Sequence, residues 1–174
     1  YFTATASNVG YGYWGHDLGG HMQRGQIPTD PQLYTRWLQY GVFSPLFKTH
    51  CTSSEIIERR IWTFDDHYEY MKDAFELRYA LTPYIYDAAR QTYDTGVSLC
   101  RPMYYAYPEK NEAYEYKQQY MFGDNVLVAT VCQPVDTLSG VAARDVWFPA
   151  GNDWYDMAHL QMIKGGSKKT LHYT

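Results

Sequence analysis

The residues best equipped for chemistry lie close together near the start of the chain, in Tyr11-Gly12-Tyr13-Trp14-Gly15-His16-Asp17-Leu18-Gly19-Gly20-His21. Two imidazoles, one carboxylate, three aromatic rings and four glycines share these eleven residues. Imidazole and carboxylate side chains can hold hydroxyl groups, a cation or a proton in transfer. Glycines let the backbone come close to a ligand. The same cluster also reads as a tight turn carrying His and Asp incidentally. A second polar group, Lys48-Thr49-His50, follows the apolar run Val42 to Phe47.

Three chemistries can be weighed against these residues. Zinc is disfavoured: His16 and His21 are five apart across glycines, and no third ligand sits at a recognised spacing, so no metal site is expected. A serine nucleophile needs a strained Gly-x-Ser-x-Gly turn, which does not occur. Hydrolysis of a glycosidic bond needs two carboxylates flanking it. Asp17 is the only carboxylate at a strand exit in the first half, and Asp65 and Asp66 read as helix-capping residues. The chain therefore offers a wall for a sugar and no catalytic pair. Lys48 is expected to pair with Asp17 if their strands are neighbours, since a buried carboxylate needs such a partner. His50, at a strand exit, reads either as a packed core histidine or as a neutral donor to a hydroxyl. His67 and the acidic residues after it read as a solvated face.

The elements that must position these residues follow from patterning. Phe2 to Ala6 leads into the motif. Tyr11 to Trp14 is expected to be a short buried strand, and Gly19-Gly20 opens a loop running through Ile27-Pro28-Thr29. Asp30-Pro31 is a helix start, with Asp at the N-cap and Pro at the first helical position. Leu33, Tyr34, Trp37 and Leu38 then recur at helical spacing until Gly41. Val42 to Phe47 is expected as a second buried strand, although Pro45 counts against a central one. Polar chemistry at the carboxyl ends of two strands joined by a helix is the arrangement of an α/β barrel. Cys51 to Glu58 reads as loop with a short helix after it. An amphipathic pattern from Asp66 to Tyr93, broken at Thr82-Pro83, predicts two helices or a kinked one, closed by Gly96. Beyond it, Leu99–Tyr105, Tyr116–Phe122, Val126–Val131 and Arg144–Phe148 alternate with turn residues, the spacing of a small antiparallel β-sandwich. The boundary is expected near residues 94–98.

Composition narrows the classes further. In 174 residues, 45% are apolar and 18% aromatic, which argues against disorder and for large half-wet aromatic surfaces, more simply core than carbohydrate platform. A net charge of −4 without a Lys/Arg stripe argues against nucleic acid. No apolar run reaches the roughly 18–20 residues of a membrane span. The three cysteines, Cys51, Cys100 and Cys132, are widely spaced and read as buried free thiols. Tyr1 opens in mid-pattern, which reads as a cut end, so the compartment cannot be inferred from it.

Four blocks in order carry a family likeness. They are Tyr13-Trp14-Gly15-His16-Asp17-Leu18-Gly19-Gly20; Tyr34-x-Arg36-Trp37-x-Gln39-x-Gly41-x-Phe43-x-Pro45-x-Phe47-x-x-His50; Leu77-Arg78-Tyr79-x-Leu81-x-Pro83-Tyr84-x-Tyr86; and Arg101-Pro102 with Gln119-x-Met121-Phe122-Gly123-Asp124-x-x-Leu127-Val128-Ala129. Together they resemble the C-terminal part of the catalytic region of glycoside hydrolase family 31, the α-glucosidase and α-xylosidase family. The resemblance implies α/β followed by all-β: the last two β/α units of an incomplete (β/α)8 barrel over residues 1–95, then a small antiparallel β-sandwich over 96–174. It implies a retaining α-glycosidase acting on terminal non-reducing glucose-type or xylose-type residues. The nucleophile and acid/base would belong to segments preceding Tyr1, so no catalytic residue is expected here. Asp17 and His50 would hold the sugar, with Trp14 and His16 as close wall residues and His21 and Lys48 completing the wall. No metal or organic cofactor is implied.

Two positions depart from the family pattern. Lys48 stands where Arg is usual, and lacks the bidentate fork that would tether Asp17 firmly. His21 stands where Phe is common and adds a donor, which extends the expected substrates to a sugar bearing an acidic or otherwise modified group. Two alternatives belong to other classes: a non-catalytic carbohydrate-binding module using Trp147 and Trp154, or a scaffold unit without ligand. The long helical pattern of residues 66–93 separates them, because a stand-alone sandwich module has no use for it.

Overall fold

The computed structural model describes residues 1–22, 27–54 and 56–174. The expected loop from Gly20 to Thr29 lies partly outside them. The chain divides into two compact units, one of residues 1–102 and 120–128 and the other of residues 103–119 and 129–174.

In the first unit a short helix, α1 (Phe2–Thr5), runs into a 3-10 turn at Ala6–Val9. Helix α2 (Pro31–Gly41) starts as its sequence dictates: the Asp30 carboxylate accepts from Leu33 N at 2.7 Å and Pro occupies the first turn. Its buried side chains Tyr34 and Leu38, with Gly41, lie along one face and pack with Leu18, Val42, Met71 and Ala74. Two helices, α3 (Tyr68–Ala80) and α4 (Thr82–Thr95), separate at Leu81 because Pro83 cannot continue the α3 hydrogen-bond ladder. Gly96 ends α4 in the left-handed conformation (φ 77°), donating to Thr92 O at 2.9 Å. Asp65 and Asp66 sit in a 3-10 turn and neither caps α3, whose N-cap, His67, also makes no side-chain cap bond.

The two expected buried strands are corrected. Tyr11 and Tyr13 are each 55% exposed, and neither Tyr11–Trp14 nor Val42–Phe47 is a strand. What remains is one parallel bridge, Leu18 to Thr49, with Leu18 N donating to Lys48 O at 3.1 Å and Leu46 N donating to Trp14 O at 3.2 Å. A ladder cannot extend through Pro45, which has no N–H, and Val42 to Ser44 are drawn into turns instead.

The same unit carries, apart from the end residues Gln119 and Ala129, a three-stranded sheet of β1 (Cys100–Pro102), β2 (Gln119–Phe122) and β3 (Val126–Ala129), with β2 central. β1 and β2 are antiparallel, Cys100 opposite Phe122 and Pro102 opposite Tyr120. Tyr120, Phe122, Leu99 and Val128 form a second core with Ala4 and Ala88. The strand expected to reach Tyr105 stops at Pro102 and turns into α5 (Met103–Ala106).

In the other unit β4 (Ala142–Phe148) pairs antiparallel with β7 (Ser167–Tyr173) along seven residues, and β5 (Trp154–Asp156) pairs with β6 (Gln161–Ile163). Gln119, whose side chain is buried, donates through Nε2 to Trp147 O at 2.8 Å and accepts from Trp147 N at 3.0 Å. One amide side chain thus substitutes for a ladder partner. All three cysteines are free, but only Cys100 is buried; Cys132 is exposed and Cys51 intermediate. No helix among the described residues is long and apolar enough to cross a membrane.

Candidate functional site

The chemistry gathers where the two parallel segments leave their bridge. Leu18 is fully buried beneath α2, and a Cβ at Gly41 would lie 2.6 Å from its side chain, so the helix sits directly on the bridge. Gly15 allows the same closeness on the other segment: an added Cβ would lie 2.9 Å from Leu46 O. Next to buried Leu18, Asp17 stays partly exposed. Its carbonyl accepts from Gly20 N at 2.8 Å, a tight turn that brings His21 back over the carboxylate.

Four side chains converge there. Lys48 Nζ lies 2.9 Å from Asp17 Oδ1, and His21 Nδ1 lies 3.2 Å from Asp17 Oδ2. The His21 and His50 rings stack with centroids 5.0 Å apart. The hydrogen bond from Lys48 holds the Asp17 carboxyl below its usual range, and the charges of Lys48, His50 and His21 add to the effect, so Asp17 is an anion at neutral pH. The expected Lys48–Asp17 pair is therefore present. Asp17, His21 and His50 offer ligand atoms that all lie within 4.8 Å of one another, the third coming from the neighbouring segment and not from local spacing.

Trp14 and His16 belong to an adjoining aromatic group. The His16 ring lies 5.7 Å from Trp14, 6.1 Å from Trp37 and 5.1 Å from Tyr40, centroid to centroid. Burial pushes the His16 imidazole down, which keeps it neutral at pH 7. Both of its ring nitrogens, and Trp14 Nε1, are buried without a hydrogen-bond partner among the described residues.

Several positioning residues escaped the sequence reading. Tyr40 is one: it is an i, i+3 neighbour, on one face of α2, of Trp37, which the helical spacing already marks, and that spacing could have flagged it. Arg59 gave no such signal. Its Nη2 donates to the carbonyls of Gly19 and Gly20, its Nη1 reaches Thr29 Oγ1 at 2.8 Å, and its guanidinium lies over the Tyr34 ring at 5.2 Å. Gly19, at φ 89°, could not carry a Cβ there, since it would meet Arg59 Nε at 2.5 Å. Glu58 turns to the neighbouring Arg60 at 2.6 Å, whose hydrogen bonds hold its carboxyl down to about 2. Arg78 does for the second segment what Arg59 does for the first. Its Nη1 lies 2.6 Å from both Val42 O and Ser44 O, and its Nη2 donates to Pro45 O at 2.9 Å.

Of the two tryptophans of the alternative sugar platform, one is buried and the other is partly exposed. Trp147 is 5% exposed and packs edge-on against Tyr107 at 5.5 Å, while Trp154 Nε1 donates to Pro149 O at 3.0 Å.

Comparison with known proteins agrees with the blocks that carry the likeness. Residues 3–88 match the TIM-barrel domain of glycosyl hydrolases family 31, and residues 96–174 match the family 31 C-terminal domain. A 1,6-alpha-glucosyltransferase of Sporosarcina globispora is 35% identical over 96% of this chain, which spans 12% of that protein. An alpha-xylosidase of Saccharolobus solfataricus is 31% identical over 95% of the chain and 22% of its own length. A crystal structure of a family 31 alpha-xylosidase from a soil metagenome, complexed with xylose, superposes with a TM-score of 0.84 at 29% identity, over 98% of this chain and 27% of that one. The chain thus spans under a third of each of these three proteins, and it belongs to glycoside hydrolase family 31.

Proposed function

We propose that the full-length protein is a retaining α-glycosidase that removes terminal non-reducing α-linked glucose-type or xylose-type residues. In this reading residues 1–95 are the closing β/α units of a (β/α)8 barrel and residues 96–174 form the β-sandwich that follows it. Trp14, His16, Asp17, His21, Lys48 and His50 make part of the wall that holds the sugar, and the nucleophile and acid/base come from chain outside these residues.

One observation carries the proposal: the parallel bridge from Leu18 to Thr49 sets Asp17 and His50 side by side at the ends of two adjacent segments. Side chains at the carboxyl ends of neighbouring parallel barrel strands are where such enzymes bind substrate. An ionised carboxylate accepts from sugar hydroxyls, while a neutral imidazole can donate or accept. The unpartnered His16 nitrogens and Trp14 Nε1 are further polar atoms for which a ligand or another segment would supply partners. The names of the relatives, a glucosyltransferase and xylosidases, agree with glucose-type or xylose-type sugars.

The test is the hydrolysis of aryl glycosides by the full-length protein. Turnover of p-nitrophenyl α-glucoside or α-xyloside, with the α-anomer as first product, is expected. Turnover of only the β-glycosides, or first release of the β-anomer, would overturn the reading.

A further inference from the structure

We propose that Asp17, His21 and His50 form a binding site for a late first-row divalent metal ion of the Zn2+ type, and that the ion competes with sugar for this wall. The competition rests on the carbohydrate reading above; the site itself rests on geometry alone.

Two imidazole nitrogens and one carboxylate oxygen are a donor set suited to Zn2+, Ni2+ or Cu2+ and not to Mg2+ or Ca2+, which prefer oxygen alone. Zinc–ligand distances of about 2.0–2.1 Å in a tetrahedron put neighbouring ligand atoms about 3.3 Å apart. His21 Nδ1 and Asp17 Oδ2 already stand 3.2 Å apart. All three ligand atoms fall within 4.8 Å, and the exposed His50 side chain can close the remaining gap by a small rotation. The backbone holds the frame: Gly20 N bonds Asp17 O at 2.8 Å, and Thr52 N bonds His21 O at 2.8 Å, tying the two segments that carry the ligands. Three protein ligands leave a fourth position for water or a sugar hydroxyl.

Lys48 is an unfavourable neighbour. Its ammonium binds the other carboxylate oxygen, Oδ1, so Asp17 can keep that partner while Oδ2 takes the ion. Repulsion between the ammonium and the metal then weakens binding, which gives the proposal a signature that adventitious coordination by surface histidines lacks.

The test titrates the full-length protein with ZnCl2 by calorimetry. One equivalent is expected to bind. His21→Phe and His50→Ala should each weaken binding at least tenfold, and Lys48→Met should tighten it several-fold. Since a substitution could perturb folding, the wild-type protein is also loaded with CoCl2, where the visible bands of tetrahedral cobalt are expected. Absence of a site for Zn2+ below millimolar concentration, indifference to both histidine substitutions, or the spectrum of fully hydrated cobalt would each overturn the proposal. Glucose and xylose are then added to the loaded protein. Their failure to displace the ion, with histidine dependence intact, would tell against the carbohydrate role of these residues and against competition, but not against the metal site.

Discussion

Lys48 reaches Asp17 across the parallel bridge, its ammonium 2.9 Å from Oδ1, while the opposite carboxylate oxygen faces His21 at 3.2 Å. The ionised carboxylate thus faces an ammonium from the neighbouring segment on one oxygen and an imidazole from its own segment on the other.

This pair is built for orientation more than for stability. Lys48 is 55% exposed, and exposed ion pairs contribute about 0–1 kcal/mol. Lys48→Met is therefore expected to leave the melting temperature nearly unchanged while raising KM for an α-glycoside, because Asp17 loses the donor that fixes its rotamer. Thermal melts and steady-state kinetics on the full-length protein check both halves.

Arg59 should behave differently. It satisfies the carbonyls of Gly19 and Gly20 and packs on Tyr34, and charged hydrogen bonds of this kind contribute about 1.5–3 kcal/mol. Arg59→Ala is expected to destabilise the protein by about 2 kcal/mol and to lower kcat/KM. Arg59→Lys should recover less than half of the stability, for want of the fork. Denaturant titration of the three proteins checks this.

Arg78 makes the same argument for the second segment. Its fork serves the carbonyls of Val42, Ser44 and Pro45, and burial lowers its guanidinium from the usual value. Arg78→Met keeps the apolar stem but orphans three acceptors; a loss of about 2–4 kcal/mol is expected in the same titration.

How much of this was legible in the sequence depends on how local the determinants are. Helix α2 was, since Asp30, Pro31 and Gly41 lie in one short stretch and each acts on its own neighbours. The break between α3 and α4 at Pro83 was legible for the same reason. The two strands expected before Asp17 and Lys48 do not form, because apolar runs there are spent on turns and on contacts with helices. The partners of Arg59 and Arg78 are not legible, since what they bind are main-chain carbonyls that carry no residue identity. His50 joins Asp17 and His21 only through the bridge, so their three-way cluster has no spacing to read.

A pH dependence arises in the other unit. His159 Nδ1 lies 2.6 Å from Asp156 Oδ2 and Nε2 lies 2.8 Å from His172 O, so both ring nitrogens face acceptors and the imidazolium fits best. The His172 carbonyl and the Asp156 carboxylate raise the His159 pKa. Its contribution to stability is therefore complete below the ordinary value of about 6.5 and is lost as pH rises through the raised value. His159→Gln should lower the melting temperature at pH 5.5 and have a smaller effect at pH 9, as melts across that range would record.

The central claim, that Asp17 and its neighbours hold a sugar, is tested most directly by kcat/KM for p-nitrophenyl α-glucoside and α-xyloside in the full-length Asp17→Asn protein. A carboxylate that binds hydroxyls in the transition state predicts a loss of at least about tenfold on the better substrate, with the melting temperature preserved. Wild-type kcat/KM on both substrates would place Asp17 outside the sugar site and contradict the account.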